Sequence, residues 1–202
     1  GTSKLLLDAD TLLGGTISTT TGDLNSTLRV TTSGTLDGTA HTVTLTAGSH
    51  AVIDGNEALT LMGSLVNAGT VAVGGDGIYG YAATLLVGGA VSLSGGGTIA
   101  LTEHANGQAN IATQLITGGA LENVDNTIIG YGELGGGALA LTNDAGGSIV
   151  AAGATLLVDS PIATITNNGL LQATTGGTLE LRGTVDSTGG GRLVASDHFG
   201  GT

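Results

Sequence analysis

Gly147-Ser-Ile-Val-Ala-Ala-Gly-Ala-Thr-Leu-Leu-Val-Asp-Ser-Pro-Ile-Ala-Thr-Ile-Thr-Asn-Asn168 sets three short apolar runs in one 22-residue span, at Ile149, at Thr155 to Val158 and at Ile162 to Ile165. The next span repeats the plan with Gly169-Leu170-Leu171, Thr178-Leu179-Glu180-Leu181 and Thr184-Val185, and Gly191-Arg192-Leu193 opens it again. Three short strands per period, joined by Gly, Asn and Asp turns, describe one coil of a β-solenoid better than a hairpin sandwich. In a sandwich each strand alternates against a partner sheet, whereas here like positions recur and stack on like.

Followed backwards, the opening phrase is a turn residue, a small polar residue and a branched aliphatic. It occurs at Gly15, Gly34, His50, Gly69, Gly97, Asn126, Gly147, Gly169 and Gly191, at intervals of 19, 16, 19, 28, 29, 21, 22 and 22. These anchors predict an all-β, single-stranded, right-handed parallel β-helix filling residues 1–202 as one domain. About nine coils of roughly 19–22 residues are expected, with three short strands each. At about 4.8 Å per coil the rod would be about 43 Å long.

Composition agrees. Glycine (39) and threonine (32) supply over a third of the 202 residues, and both are poor helix formers. Val, Ile, Leu, Ala and Thr suit a narrow interior, and glycine and asparagine suit corners that need φ > 0. Collagen is excluded by the lack of a three-residue glycine period and by a single proline. An apolar fraction of 40% with few charges argues against disorder. No apolar run is long enough for a spanning helix, so no membrane insertion is expected. With 4 basic residues against 16 acidic, a net charge of −12, nucleic acid is not an expected partner. Without cysteine there are no disulfides or zinc–thiolate sites.

The long intervals place extra residues between the first and second strands of successive coils. Lateral insertions are expected near 74–83, 102–111 and 130–137, the last because Leu139 is read as opening the second strand of its coil. All three tyrosines fall there. Insertions on one side of a solenoid often form its binding face. The candidate ligand-binding residues are Tyr79, Tyr81 and Tyr131, as stacking or hydrogen-bonding surfaces for a sugar or protein, with Asp76, Glu103, His104 and Glu133 as polar partners. The alternative is that these loops merely cover an edge.

Other motifs carry less chemistry. Gly75 to Gly80 and Gly130 to Gly135 match G-x-G-x-x-G, but neither precedes a helix whose N-terminus could hold a pyrophosphate. Asp8, Asp10, Asp37, Asp54, Glu57 and Asp76 offer oxygens at turns, making a structural calcium the one cofactor to consider; otherwise none is expected. Turn aspartates more often bond their own backbone. A hydrolase would need two nearby carboxylates, such as Glu103 with Glu133 or Asp76 with Glu103. The chain lacks the aromatic platforms such sites carry, and its histidines (41, 50, 104 and 198) show no ligand spacing. No enzyme and no catalytic residue is expected.

Residues 120–151, with Ile165-Thr-Asn-Asn-Gly-Leu-Leu-Gln-Ala173 and Thr178-Leu-Glu-Leu181, resemble the β-strand repeats of very large secreted bacterial surface proteins of the adhesin-like, filamentous-haemagglutinin-like kind. The likeness covers about 120–195 well and the first half loosely. It implies an extracellular, cell-surface stalk or matrix segment, and it carries over no catalytic residue. The expected function is structural and non-enzymatic: a stalk, spacer or filament-forming unit. Its partners would be like chains end to end or further repeats of the same polypeptide. A carbohydrate- or protein-binding adhesin module, taking surface glycans on the inserted loops, is the second reading. A polysaccharide-degrading β-helix enzyme is the third.

Overall fold

Alternation of inward aliphatics with outward polar residues gives each short run a period of two, and the chain answers with strands throughout. The computed structural model describes residues 3–20, 27–74, 82–102, 115–174 and 176–196, and these contain no helix. In chain order the strands are β1 (Lys4–Leu7), β2 (Asp10–Leu13), β3 (Gly15–Ile17), β4 (Thr27–Val30), β5 (Ser33–Leu45), β6 (His50–Ile53) and β7 (Ala58–Asn67). Then come β8 (Thr70–Val73), β9 (Thr84–Ser94), β10 (Thr98–Leu101), β11 (Leu115–Asn123), β12 (Thr127–Gly135) and β13 (Ala140–Asn143). The last are β14 (Ser148–Asp159), β15 (Ile165–Asn167), β16 (Leu170–Thr174), β17 (Thr178–Arg182), β18 (Val185–Asp186) and β19 (Arg192–Ser196).

Every pairing is parallel, and the strands stack into three ladders, as a solenoid requires. The first ladder runs through residues 4, 27, 50, 70, 98, 127, 148, 170 and 192 in register. The second ladder takes β2, the first halves of β5, β7, β9 and β11, the end of β12, the end of β14, and β17. The third takes β3, the second halves of β5, β7, β9 and β11, then β13, β15 and β18. Three separate short strands per coil is therefore only partly the pattern. Several strands run straight through a corner, β5 for 13 residues.

Two expectations need correcting. The first-ladder starts differ by 23, 23, 20, 28, 29, 21, 22 and 22 residues, so the early coils are not short. Gly15 lies in the third ladder, beside Val43, and Gly34 in the second, beside Asp10 and Leu59. The Gly-Thr-aliphatic phrase opens strands at every corner, so by itself it does not distinguish ladders. The stack also falls short of nine coils, because β19 opens a coil with no second or third strand among the described residues.

Inward positions form continuous columns. Leu28, Ala51, Val71, Ile99, Ile128, Ile149 and Leu171 stack in register along the first ladder, each at most 2% exposed. Each fully buried Leu or Ile contributes about 1.5–3 kcal/mol.

A polar column runs beside the aliphatic ones. Asn67, Asn123, Asn126, Asn143 and Asn167 are all fully buried. Asn123 Nδ2 donates to Asn143 Oδ1 (2.9 Å), Asn143 Nδ2 to Asn167 Oδ1 (2.9 Å), and Asn167 Nδ2 to Ser187 Oγ (3.2 Å). Asn67 Nδ2 reaches Asn126 Oδ1 at 2.9 Å, across the coil whose corner is Gly95-Gly96-Gly97. Buried amides demand such partners, and a satisfied chain of them fixes the height of each coil against the next.

This column also explains the anchor glycines. Gly69, Gly97, Gly147, Gly169 and Gly191 are absent from the positive-φ residues, so left-handed backbone is not why glycine stands there. A Cβ on Gly169 would lie 2.8 Å from Asn143 Nδ2, and one on Gly147 2.7 Å from Asn123 Nδ2. Glycine makes room for the asparagine side chains. The asparagines themselves are interior; only Asn56 adopts positive φ (70°).

Candidate functional site

Of the seven candidate site residues, Tyr131 and Glu133 are described. Asp76, Tyr79, Tyr81, Glu103 and His104 lie outside the described residues. The segments that carry them leave the first ladder at Val73 and Leu101 and rejoin the second at Thr84 and Leu115. Both therefore enter at the corner between the first and second ladders.

The expected third insertion, near 130–137, is corrected. Residues 127–135 form one strand, in which Gly132 to Leu134 pair with Leu156 to Val158, and Glu133 with Leu115. The second strand of this coil is therefore at 132–135, and Leu139 precedes the third. The coil passes the corner with a single residue, Tyr131, between Gly130 and Gly132, both at φ 130°. Its neighbours are longer there: Leu101 and Leu115 bracket one side, and Ala152–Thr155 is looped out on the other. A short coil between two longer ones resembles an insertion when only spacing is visible.

Tyr131 is half-buried, and its hydroxyl is buried with no hydrogen-bond partner among the described residues. Gly130 is obligatory beneath it, because a Cβ there would strike the Leu101 carbonyl oxygen. Glu133 is half-buried two residues on. The structure thus brings Tyr131 and Glu133 to one corner, and the proposed carboxylate pair of Glu133 with Glu103 lies half outside the described residues.

The turn aspartates are occupied locally. Asp37 accepts from Thr39 N (2.9 Å) and Oγ1 (2.5 Å), and Asp186 from Thr188 N (2.9 Å) and Oγ1 (2.7 Å). The side-chain and backbone bonds from Thr39 hold the Asp37 carboxyl below its ordinary value, and the backbone and side-chain bonds from Thr188 do the same for Asp186. Asp8 accepts from Thr32 Oγ1. Among the described residues no group of three or more acidic, His or Cys side chains is placed to hold a metal.

Asp54 is tied differently. Its Oδ2 meets Arg29 Nε at 2.8 Å, joining the second coil to the third, with both side chains 16% exposed. Asp54→Ala leaves a part-buried guanidinium short of its carboxylate and should cost about 2 kcal/mol, read as a lower urea midpoint. Asp54→Asn keeps an acceptor and should cost less. Glu57 stands nearby, its pKa raised by burial first, then by Asp54 and Asp8. The folded state therefore binds its proton more tightly than the unfolded state. Stability falls as pH rises from the ordinary Glu value through the raised one, and Glu57 costs stability at neutral pH. Glu57→Gln should raise Tm at pH 7 and leave it unchanged at about pH 3, where both states carry the proton. An equal gain at both pH values would sink the titration account.

Sequence reasoning missed a groove of about 330 Å³ over the corner between the second and third ladders. Ala90, Ala120 and Ala140 stack along it, beside Ser92, Glu122 and Thr142. The groove arises from register between coils, which spacing within one coil does not reveal.

No protein-family model matches the chain, and no curated protein or solved structure is significantly similar to it. The class rests on the fold: a parallel β-solenoid.

Proposed function

We propose that the chain is a mechanical element: a stiff, non-enzymatic β-solenoid segment of an extracellular bacterial surface or matrix protein, acting as stalk or spacer. One observation carries the reading. Columns sealed in the middle of the stack are open at both ends. Leu5 is 57% exposed while its register partner Leu28 is 2% exposed; Leu193 is 54% exposed while its partner Leu171 is fully buried. Ends of this kind suit a rod continued by further coils or like chains, since open strand edges invite pairing. The extracellular bacterial setting is supported by the resemblance of residues 120–195 alone.

Small-angle scattering and electron microscopy test the rod, which should be about 40 Å long per copy, the first ladder rising about 4.8 Å per coil. A glycan array tests the function. The rod reading expects no retention. Retention abolished by replacing Tyr79, Tyr81 and Tyr131 with alanine would replace it with an adhesin module.

A further inference from the structure

We propose that the open end of the last coil receives the open end of the first coil of a second copy of this chain, head to tail and turned by one ladder, with Asp8 meeting Arg182. The inference rests on the rod reading above and names the partner and its register.

The turn follows from the spiral. β19 belongs to the first ladder, so the next rung of the spiral stands on the second ladder, over β17, and the one after on the third, over β18. A copy docked first ladder on first ladder would leave a rung empty over β17 and β18. A copy turned by one ladder sets β1 on β17, β2 on β18 and β3 on β19, and the spiral continues unbroken. Among the described residues no strand pairs with the outer edges of these six.

Side chains agree with this register. Leu5 and Leu7 would meet Leu179 and Leu181, half-buried inward residues that pack on the core from the other end. The next position sets Asp8, exposed on the first coil, against Arg182. Arg182 holds Glu180 at 3.0 Å in an exposed pair (56% and 47%), which is worth little in solvent and re-forms readily around a second carboxylate. Charge placement points the same way. Copies at −12 repel along their sides, yet Lys4, Arg182 and Arg192, three of the four basic residues, lie in the terminal coils. A head-to-tail contact of this kind does not close on itself and gives filaments.

Sedimentation and electron microscopy of the full chain over rising concentration should show end-to-end oligomers. Asp8→Arg and Arg182→Asp should each raise the concentration for half-assembly by about tenfold or more. Mixing the two variants, or combining both changes in one chain, should restore assembly. Leu5→Glu should abolish it, with circular dichroism confirming that each variant stays folded. A wild-type chain that is rod-shaped but monomeric, or assembly indifferent to both charge changes, would overturn the proposal while leaving the rod intact. A chain that is not rod-shaped would overturn the rod reading itself.

Discussion

Asn143→Leu should lower stability by about 4 kcal/mol, although the new side chain matches the old one in size and is apolar in an apolar stack. Asn143 accepts from Asn123 and donates to Asn167, and its Nδ2 also lies 3.3 Å from the carbonyl oxygens of Gly147 and Leu170. Leucine leaves one buried donor and one buried acceptor of neighbouring asparagines without partners, each costing about 1–3 kcal/mol. In a stacked repeat the damage need not be global, because each coil contacts chiefly its neighbours. Hydrogen exchange should show protection lost first in β13, β15 and β18, with β4 and β6 unaffected. A uniform loss, or none, would contradict the role given to the column.

The second large effect is expected at Gly130. Alanine there meets two penalties: a φ of 130° and a Cβ driven into the Leu101 carbonyl oxygen. We expect a loss above about 4 kcal/mol, or failure to fold, since a backbone atom has nowhere to move. Gly153→Ala is the control. Its φ is 80°, yet nothing lies within 4 Å of the added Cβ, so only the left-handed strain of about 1 kcal/mol remains. Thermal denaturation of the two variants separates clash from strain. Similar losses would mean that the corner yields where the geometry says it is tight.

The contrast shows which parts of this protein can be read in one dimension. The coil from Gly147 to Asn168 is legible because its strands differ little in length and its apolar residues keep strict alternation. Ladder identity in the first third is not, because Gly15, Gly34 and Gly69 open three different ladders with nearly the same words. Asparagine was legible as a corner residue and misread in role. The recurrence of Asn123, Asn143 and Asn167, each at the end of a third-ladder strand, is the signal that an interior polar column leaves in the sequence. At the candidate site, the corner shared by the insertions was readable from spacing. Tyr131 was not, since a strand bending between two glycines has the composition of a loop.

The unequal coil lengths have a consequence for how such a chain can change. Its intervals range from 20 to 29 residues, yet the asparagine column keeps one corner at constant height per rung. Growth is therefore channelled into the opposite corner, where sequence can lengthen or shorten without altering the axial rise. The molecule behaves as a ruler with mounting points about 4.8 Å apart. A peptide grafted between Leu101 and Leu115 would be displayed at a set height on the rod, and the coils on either side would keep their register.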